Sequence, residues 1–273
     1  MTPSPQGASV NGQIAAFFDL DKTIIAKSSM LAFSKPFYDE GLINRRTVLK
    51  SSYAHFLFLL TAADEDQVER LRKHVTQMCT GWNVEQVSGI VAETLHDVVD
   101  PLVFSEAADL IDSHRARGHE VVIVSASGSE IVTPIGQLLG VDIALASQMK
   151  IVDGTYTGEL DFYCYGENKA IAMRELAAAR GYDLDRCFAY SDSITDLPML
   201  EAVGRPTVVN PDRALRKVAT AHDWPVASFS RAVSLRERIP GNPSRGALAG
   251  AAVSVGAAVA GGITYALIQR RGR

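Results

Sequence analysis

Four short apolar runs along the chain end abruptly in polar residues: 14–18 (IAAFF) at Asp19, 120–124 (EVVIV) at Ser125, 186–190 (RCFAY) at Ser191 and Asp192, and 205–209 (RPTVV) at Asn210 and Pro211. Runs of this kind suit strands of a parallel sheet covered on both faces, with polar residues at the carboxyl ends. Between them the period turns helical. Phe104, Ala107, Ala108, Ile111 and His114 share one face of a helix closed by Gly118, and 168–180 is a run of strong helix formers ending at Gly181. Asp153-Gly154, set between alternating residues of 148–162, marks a β-hairpin. Strands alternating with helices predict an α/β fold, a doubly wound parallel sheet.

The interval 28–100 breaks that alternation. Its apolar groups at 53–60 and at Val68, Leu71, Val75 and Met78 have helical spacing, and Gly81-Trp82-Asn83 forms a break. It is expected to be an all-helical insertion leaving the sheet just after the first strand, placed as a lid over that strand's carboxyl end. The core is then 14–27 with 101–230. Residues 1–13, rich in Pro, Ser, Gly and Gln and without a basic or apolar leader pattern, are expected to be a flexible tail. Pro225, Pro240, Pro243 and the arginines at 231, 236, 238 and 245 give 225–246 a linker-like composition, and the linker proper is placed at 231–246. Residues 247–268 carry no charge and precede Gln269-Arg270-Arg271-Gly272-Arg273, so they are a candidate transmembrane helix. Their Ala, Gly and Val content also suits a disordered extension or a partner-packed helix, and Gly246 with Gly250 forms a GxxxG.

Composition narrows the function classes. A net charge of −4 argues against a broad nucleic-acid-binding face. Cys79, Cys164 and Cys187 are few, odd in number and without a CxxC pair, which excludes a disulfide framework or zinc ribbon and fits a reducing compartment. None of the six histidines falls at metal-helix spacing, and no role is assigned to them.

The chemistry is concentrated at the predicted strand ends. In FFDLDKTI, Asp19, Asp21 and Thr23 follow the first strand, and in SDSITDLPML, Asp192 and Asp196 follow another. A bare DxDxT can be a turn or helix cap, and Asp196 before Leu197-Pro198 can cap a helix, but Asp192 is not explained in that way. Carboxylates gathered at one sheet edge repel one another and call for a hard divalent ion such as Mg²⁺. Ser125 offers a hydroxyl at a strand end ahead of a helix N-terminus, an anion-binding arrangement. Lys169 is the one evident cation near a predicted strand-edge loop, although a lysine there is by itself most often surface.

Asp19-Leu20-Asp21-Lys22-Thr23, Ser125, Lys169 and Asp192 through Asp196, in that order, resemble the four motifs of the haloacid dehalogenase superfamily of phosphatases, nearest to its phosphoserine phosphatase-like branch (subfamily IB). The resemblance covers about 14–230, and VVNPDRALRKVA at 208–219 is similar to that branch's last strand and helix. It implies a Rossmann-like core with an inserted helical cap, and an aspartyl-phosphate mechanism in which Asp19 attacks phosphorus while Asp21 acts as acid and then base. It further implies Mg²⁺ held by Asp19, the Asp21 carbonyl and Asp192, with Asp196 ordering metal waters, and a phosphoryl group held by Thr23, Ser125, the N–H of Ala126, Lys169 and Thr195. Departures bear on substrate. Ser28 stands nine residues after the nucleophile, where phosphoserine phosphatases carry a glutamate for the substrate ammonium. Lys22 replaces a frequent glycine, Ser191 another, and Thr195 a common asparagine, the two hydroxyls remaining able to contact phosphate. Arg45, Arg46 and Arg70 are candidates for a substrate carboxylate.

The resulting expectation is a Mg²⁺-dependent hydrolase of a small or membrane-associated phosphomonoester, without nucleic-acid partners, its catalytic domain cytoplasmic and anchored by the C-terminal helix. A phosphotransferase or mutase using the same intermediate, or a membrane-tethered scaffold that keeps the fold as a binding module, are the alternatives. The particular monoester and the oligomeric state have no sequence signature here.

Overall fold

The computed structural model describes residues 13–43, 72–73, 75–141 and 143–231. Its strands are β1 (Ala15–Phe18), β2 (Glu120–Gly128), β3 (Ile143–Val152), β4 (Thr155–Phe162), β5 (Phe188–Ser191), β6 (Arg205–Val209) and β7 (Val226–Ala227). They form one sheet in the order β4-β3-β2-β1-β5-β6-β7. All neighbours are parallel except the β3–β4 hairpin. The chain builds outward from β1 to one side and then returns to build outward on the other. That reversal leaves a crevice above the carboxyl ends of β1 and β5, where ligands of open α/β sheets bind.

The central strands β1 and β5 are four residues each, and burial on two faces demands continuous apolar sequence there. Every residue of β1 is buried. Phe17 meets Tyr182 edge-on from one face, while Phe18 stacks on Tyr190 with ring centroids 4.4 Å apart and meets His114 edge-on. Successive side chains thus anchor helical layers on opposite sides.

The helices are α1 (Ser29–Ala32), α2 (Ser34–Asp39), α3 (Val84–Val99), α4 (Ser105–Ala116), α5 (Ser129–Leu138), α6 (Glu167–Arg180), α7 (Leu197–Glu201) and α8 (Arg213–Ala221). The anticipated face of α4 is the buried one: Ala107, Ala108, Ile111 and His114 all point inward. Gly118 and Gly181 take left-handed conformations (φ 76° and 73°) after their helices. The insertion between β1 and β2 consists, in its described parts, of helices joined by turns, with a single bridge from Asn83 to Thr155 of the hairpin. Its α3 begins at Asn83, whose side chain accepts from the Gln86 N–H at 2.9 Å, and packs on α5. The residues leading into α3 are tied to the hairpin by Gly81 N–H to the Tyr156 carbonyl (2.8 Å) and Tyr156 N–H to the Trp82 carbonyl (3.0 Å). The hairpin turns at Asp153-Gly154, with φ of 48° and 73° as a type I′ turn requires.

Three expectations change. The strand before the hairpin starts at Ile143, so its first half extends the parallel sheet before its second half turns antiparallel. Val226–Ala227, within the linker-like stretch, pairs with Val208–Val209 as β7, because two residues of backbone pairing need no apolar signature. Gln13, assigned to the tail, is bonded to the backbone of Gly181 and Asp183. The remaining tail, most of the linker, the 247–268 segment and Arg45, Arg46 and Arg70 lie outside the described residues. No helix among the described residues is long and apolar enough to cross a membrane.

His114 has a structural part that its spacing in the sequence did not suggest. Its Nε2 lies 2.8 Å from the Tyr190 hydroxyl and its Nδ1 2.8 Å from His119 Nδ1. Burial, reinforced by His119 and Arg117, pushes its pKa down to about 4. The folded protein therefore holds it neutral, while the unfolded chain titrates near 6.5. A folded pKa below the unfolded one contributes stability that is complete above that unfolded value and is lost as pH falls towards the folded one. Denaturant midpoints measured from pH 7 to 4 should fall with a His114 contribution of up to about 1.4 kcal/mol per pH unit. His114→Gln should flatten the profile in that window, and an unchanged profile would place the acid sensitivity elsewhere.

Candidate active site

Four loops leaving the carboxyl ends of β1, β2 and β5 and entering α6 bring the sequence-selected residues together. Asp19 follows β1 directly, and its N–H is bonded to the Tyr190 carbonyl of β5 at 2.9 Å. The chain then turns tightly, with Ile24 and Ile25 N–H both on the Leu20 carbonyl. Lys22 sits in this turn at φ 64°, the left-handed region that glycine takes without steric cost and other residues at roughly 1–2 kcal/mol.

Lys169 enters the site from the first turn of α6. It is 3% exposed, and its Nζ donates to Asp19 Oδ1 at 2.6 Å and to Asp196 Oδ2 at 2.8 Å. It is therefore a buried bridge between two loops and not a surface lysine. Burial alone would favour the neutral amine, but the Asp19 and Asp196 carboxylates outweigh it and hold the pKa above its usual value.

Asp196 occupies the cap position of α7 without making a capping bond. Its Oδ2 accepts instead from Lys169 and from the Ser191 hydroxyl at 2.7 Å. The expected helix-cap role is thus replaced by an electrostatic one, and the Ser191 hydroxyl, anticipated as a phosphate contact, is committed to Asp196. The Thr195 hydroxyl is likewise engaged, 3.0 Å from that of Ser193. Thr23 is fully buried with its hydroxyl 3.5 Å from Asp192 Oδ1. Ser125 is buried within β2, which runs on past the expected end to Gly128, and accepts the Ser127 N–H at 3.2 Å, while the carbonyl of Ala126 accepts the Ser147 hydroxyl at 2.7 Å.

Asp21 is held by other groups than Asp19. Its Oδ1 accepts the Ser29 N–H at 2.8 Å and its Oδ2 the Ser127 hydroxyl at 3.2 Å. The two carboxylates of one motif are thus given separate partners. Ser28, nine residues beyond Asp19, heads α1 without a capping bond and contributes no charge there.

Two structural residues went unread in the sequence. Asp212 accepts the Ile194 N–H on Oδ2 and the Leu215 N–H on Oδ1, and its own N–H binds the Asp192 carbonyl, so one side chain caps α8 and pins the loop carrying Asp192 and Asp196. Its signal was present in Asn210-Pro211-Asp212 before a helix. Ser127 had no signal, since a serine two residues beyond another in a strand is unremarkable until its partner is known.

The charge balance tests the fit of a divalent ion. Asp19, Asp192 and Asp196 against Lys169 leave a net −2 when all are ionised. Burial first, and then the surrounding carboxylates, raise the Asp19 pKa well above normal against the pull of Lys169. Burial raises Asp192 to about 7, with Asp196 adding to the rise while Lys22 and Lys169 oppose it. Among the described residues no group of three or more His, Cys, Asp or Glu side chains is arranged to hold a metal by itself. Mg²⁺ asks for less, one or two carboxylates completed by carbonyl, water and substrate oxygens, and the donor chemistry fits it.

The model of the haloacid dehalogenase-like hydrolases matches residues 16–201. The chain belongs to that family. A probable phosphatase of Mycobacterium tuberculosis (strain H37Rv) is 64% identical over 98% of this chain and 93% of its own length. A phosphoserine phosphatase of the same strain is 33% identical over 94% of this chain and 80% of its own. A substrate-bound phosphoserine phosphatase structure, 18% identical, superposes with a TM-score of 0.60 over 82% of this chain and 96% of that one, a likeness of fold. This member of the hydrolase family is a phosphatase of the phosphoserine phosphatase-like kind.

The Lys169 bridge generates a stability prediction. Lys169→Met leaves Asp19 and Asp196 buried without their cation, so its urea midpoint at pH 8 should correspond to a loss of about 3–5 kcal/mol. The deficit should shrink at pH 5, since Asp19, whose folded pKa burial raises, takes up a proton more readily there and is relieved of charge. An equal loss at both pH values would mean that packing, not charge, is what the lysine supplies.

Proposed function

We propose that the protein is a Mg²⁺-dependent phosphomonoester hydrolase working through a phosphorylated Asp19. The observation that carries this reading is the division of partners within one motif: Asp19 lies 2.6 Å from buried Lys169, while Asp21 is held apart from that pair by Ser29 and Ser127. A nucleophile is thereby placed beside a fixed positive charge, and an acid beside neutral donors.

In the first step an Asp19 oxygen forms a bond to phosphorus as the ester bond to the leaving oxygen breaks, and Asp21 gives its proton to that oxygen. In the second, water displaces Asp19 from phosphorus and passes its proton to Asp21. Burial raises the Asp21 pKa, with the Ser29 and Ser127 hydrogen bonds opposing, which favours a carboxyl that can alternate between the two forms. Ser125, the Ala126 N–H and Lys169 are the groups assigned to the phosphoryl oxygens, where fixed donors stabilise charge as it redistributes. Thr23 and Thr195 order the groups beside them. Mg²⁺, held by the Asp19 carboxylate, the Asp21 carbonyl and the Asp192 carboxylate, with Asp196 behind them, would supply the charge that lets an anionic nucleophile meet an anionic phosphate.

The substrate class is a small or membrane-associated phosphomonoester. Ser28 in place of a carboxylate weighs against phosphoserine as the preferred one. The test is phosphate release by the full-length protein with Mg²⁺ or with excess EDTA, against phosphoserine, phosphorylated amino alcohols, sugar phosphates and lysophosphatidate. Release is expected only with Mg²⁺, and Asp19→Asn should lower it by roughly 10³-fold or more. Release that survives either EDTA or that substitution would overturn the mechanism.

A further inference from the structure

At the point where the chain leaves β1 for the helical insertion, a chain of hydroxyls crosses from the insertion to β2 and ends on Asp21. The Ser29 hydroxyl donates to Ser127 Oγ at 2.8 Å, and the Ser127 hydroxyl donates to Asp21 Oδ2 at 3.2 Å. Ser29 also offers its N–H to Asp21 Oδ1 at 2.8 Å, so the two serines grip both oxygens of one carboxylate. Ser29 is 0% exposed and Ser127 8%.

Packing does not explain the pair. Ser29 is the only buried residue of the four-residue helix α1, whose apolar Met30, Leu31 and Ala32 stay half-buried. Ser127 lies two residues beyond Ser125 on β2, a spacing that puts both side chains on one face, and its N–H is bonded to Ser125 Oγ at 3.2 Å. The pairing register of β2 with β3 shifts between Ser125 and Gly128, the kind of irregularity that re-aims a side chain at a strand end. Ser127 thereby joins the hydroxyl assigned to the phosphate with the carboxyl assigned to the leaving group. A hydroxyl that accepts one hydrogen bond is polarised as the donor of the next, so Ser29 strengthens the hold of Ser127 on Asp21.

We propose that Ser29 and Ser127 are positioning residues for proton transfer: they fix the orientation of the Asp21 carboxyl relative to the leaving oxygen, Ser127 directly and the Ser29 hydroxyl through Ser127. This rests on the reading of Asp21 as the general acid. The pair touches neither phosphorus nor the nucleophile, so its effect is confined to steps in which Asp21 gives or takes a proton.

Leaving groups separate this role from a structural one. An alkyl ester needs a proton on its departing oxygen, whereas p-nitrophenyl phosphate releases a stabilised phenolate without one. Full-length wild type, Ser127→Ala, Ser29→Ala and the double variant are compared with Mg²⁺ on p-nitrophenyl phosphate and on the alkyl ester that wild type hydrolyses best, by kcat/KM, which reports the step that forms the Asp19 ester. A whole general acid contributes about 10²–10⁴-fold, so a mis-aimed one should cost roughly tenfold or more on the alkyl ester and at least about tenfold less than that on the aryl ester. Ser29→Ala should lower the alkyl rate in the same selective way but less, and the double variant should be no worse than Ser127→Ala, since one residue acts through the other. Equal losses on both esters, no loss on either, or additive losses in the double variant would overturn the proposal. Should Ser127→Ala not fold, Ser29→Ala, which keeps the N–H on Asp21, carries the same ratio. A wild type inert on both esters would overturn the phosphatase chemistry itself, whereas an active wild type with unselective variants overturns the positioning role alone.

Discussion

Lys169 is the charge around which the rest of the site is arranged. It stands 2.6 Å from Asp19 and 2.8 Å from Asp196, almost without solvent, and so ties the loop after β1 to the loop after β5 through the start of α6. An ammonium in that position is tolerable only while its carboxylates surround it, and the carboxylates only while it is present. The Ser191 hydroxyl on Asp196 and the Asp212 side chain under Ile194 then fix the loop from which Asp196 reaches the lysine. Removing Lys169 leaves both carboxylates buried without their cation, and removing either carboxylate leaves the lysine with one partner, which makes the three a unit.

The sheet topology is what allows such a unit to exist. Two sets of strands grow away from β1 in opposite directions, so the loops after β1, β2 and β5 rise side by side with no crossover helix between them. Residues as far apart in sequence as Asp19 and Lys169 can then meet on rigid supports. The same opening lets the helical insertion depart from β1 directly beside Asp21 and return before α4, placing Ser29 next to a strand end ninety-odd residues downstream.

The fold was legible where burial forced the sequence to declare itself. Continuous apolar runs marked β1, β2, β5 and β6, and the buried face of α4 was spelled out by its period. Backbone pairing without such a demand left no trace, as with β7 and the bonds that hold Gln13. Motif spacing placed the four aspartates, Ser125 and Lys169 at one sheet edge, where the structure brings them together. It could not say how those groups divide among themselves. Asp196 looked like a helix cap because its local neighbours allow one, yet its side chain turns to Lys169, since a hydrogen bond from a buried ammonium is stronger than one from a neutral backbone N–H. The hydroxyl of Ser191 looked free for phosphate because its partner, Asp196, is set by the three-dimensional turn and not by composition.

Two neighbouring serines show how a departure from a family pattern is absorbed. At the position where related phosphatases place a carboxylate for the substrate ammonium, Ser28 heads α1 uncharged and without a capping bond. The next residue turns inward, and its N–H and hydroxyl are both spent on the Asp21 network. A glutamate at Ser28 would add a further negative charge to the region of Asp19 and Asp192, whose pKa values burial and neighbouring carboxylates already raise, and would push them the same way. An uncharged residue at this corner avoids that repulsion and leaves the insertion root free to serve the acid. The root of α1 is therefore electrostatically neutral toward the carboxylate cluster, and its inward-facing serine is given to Asp21.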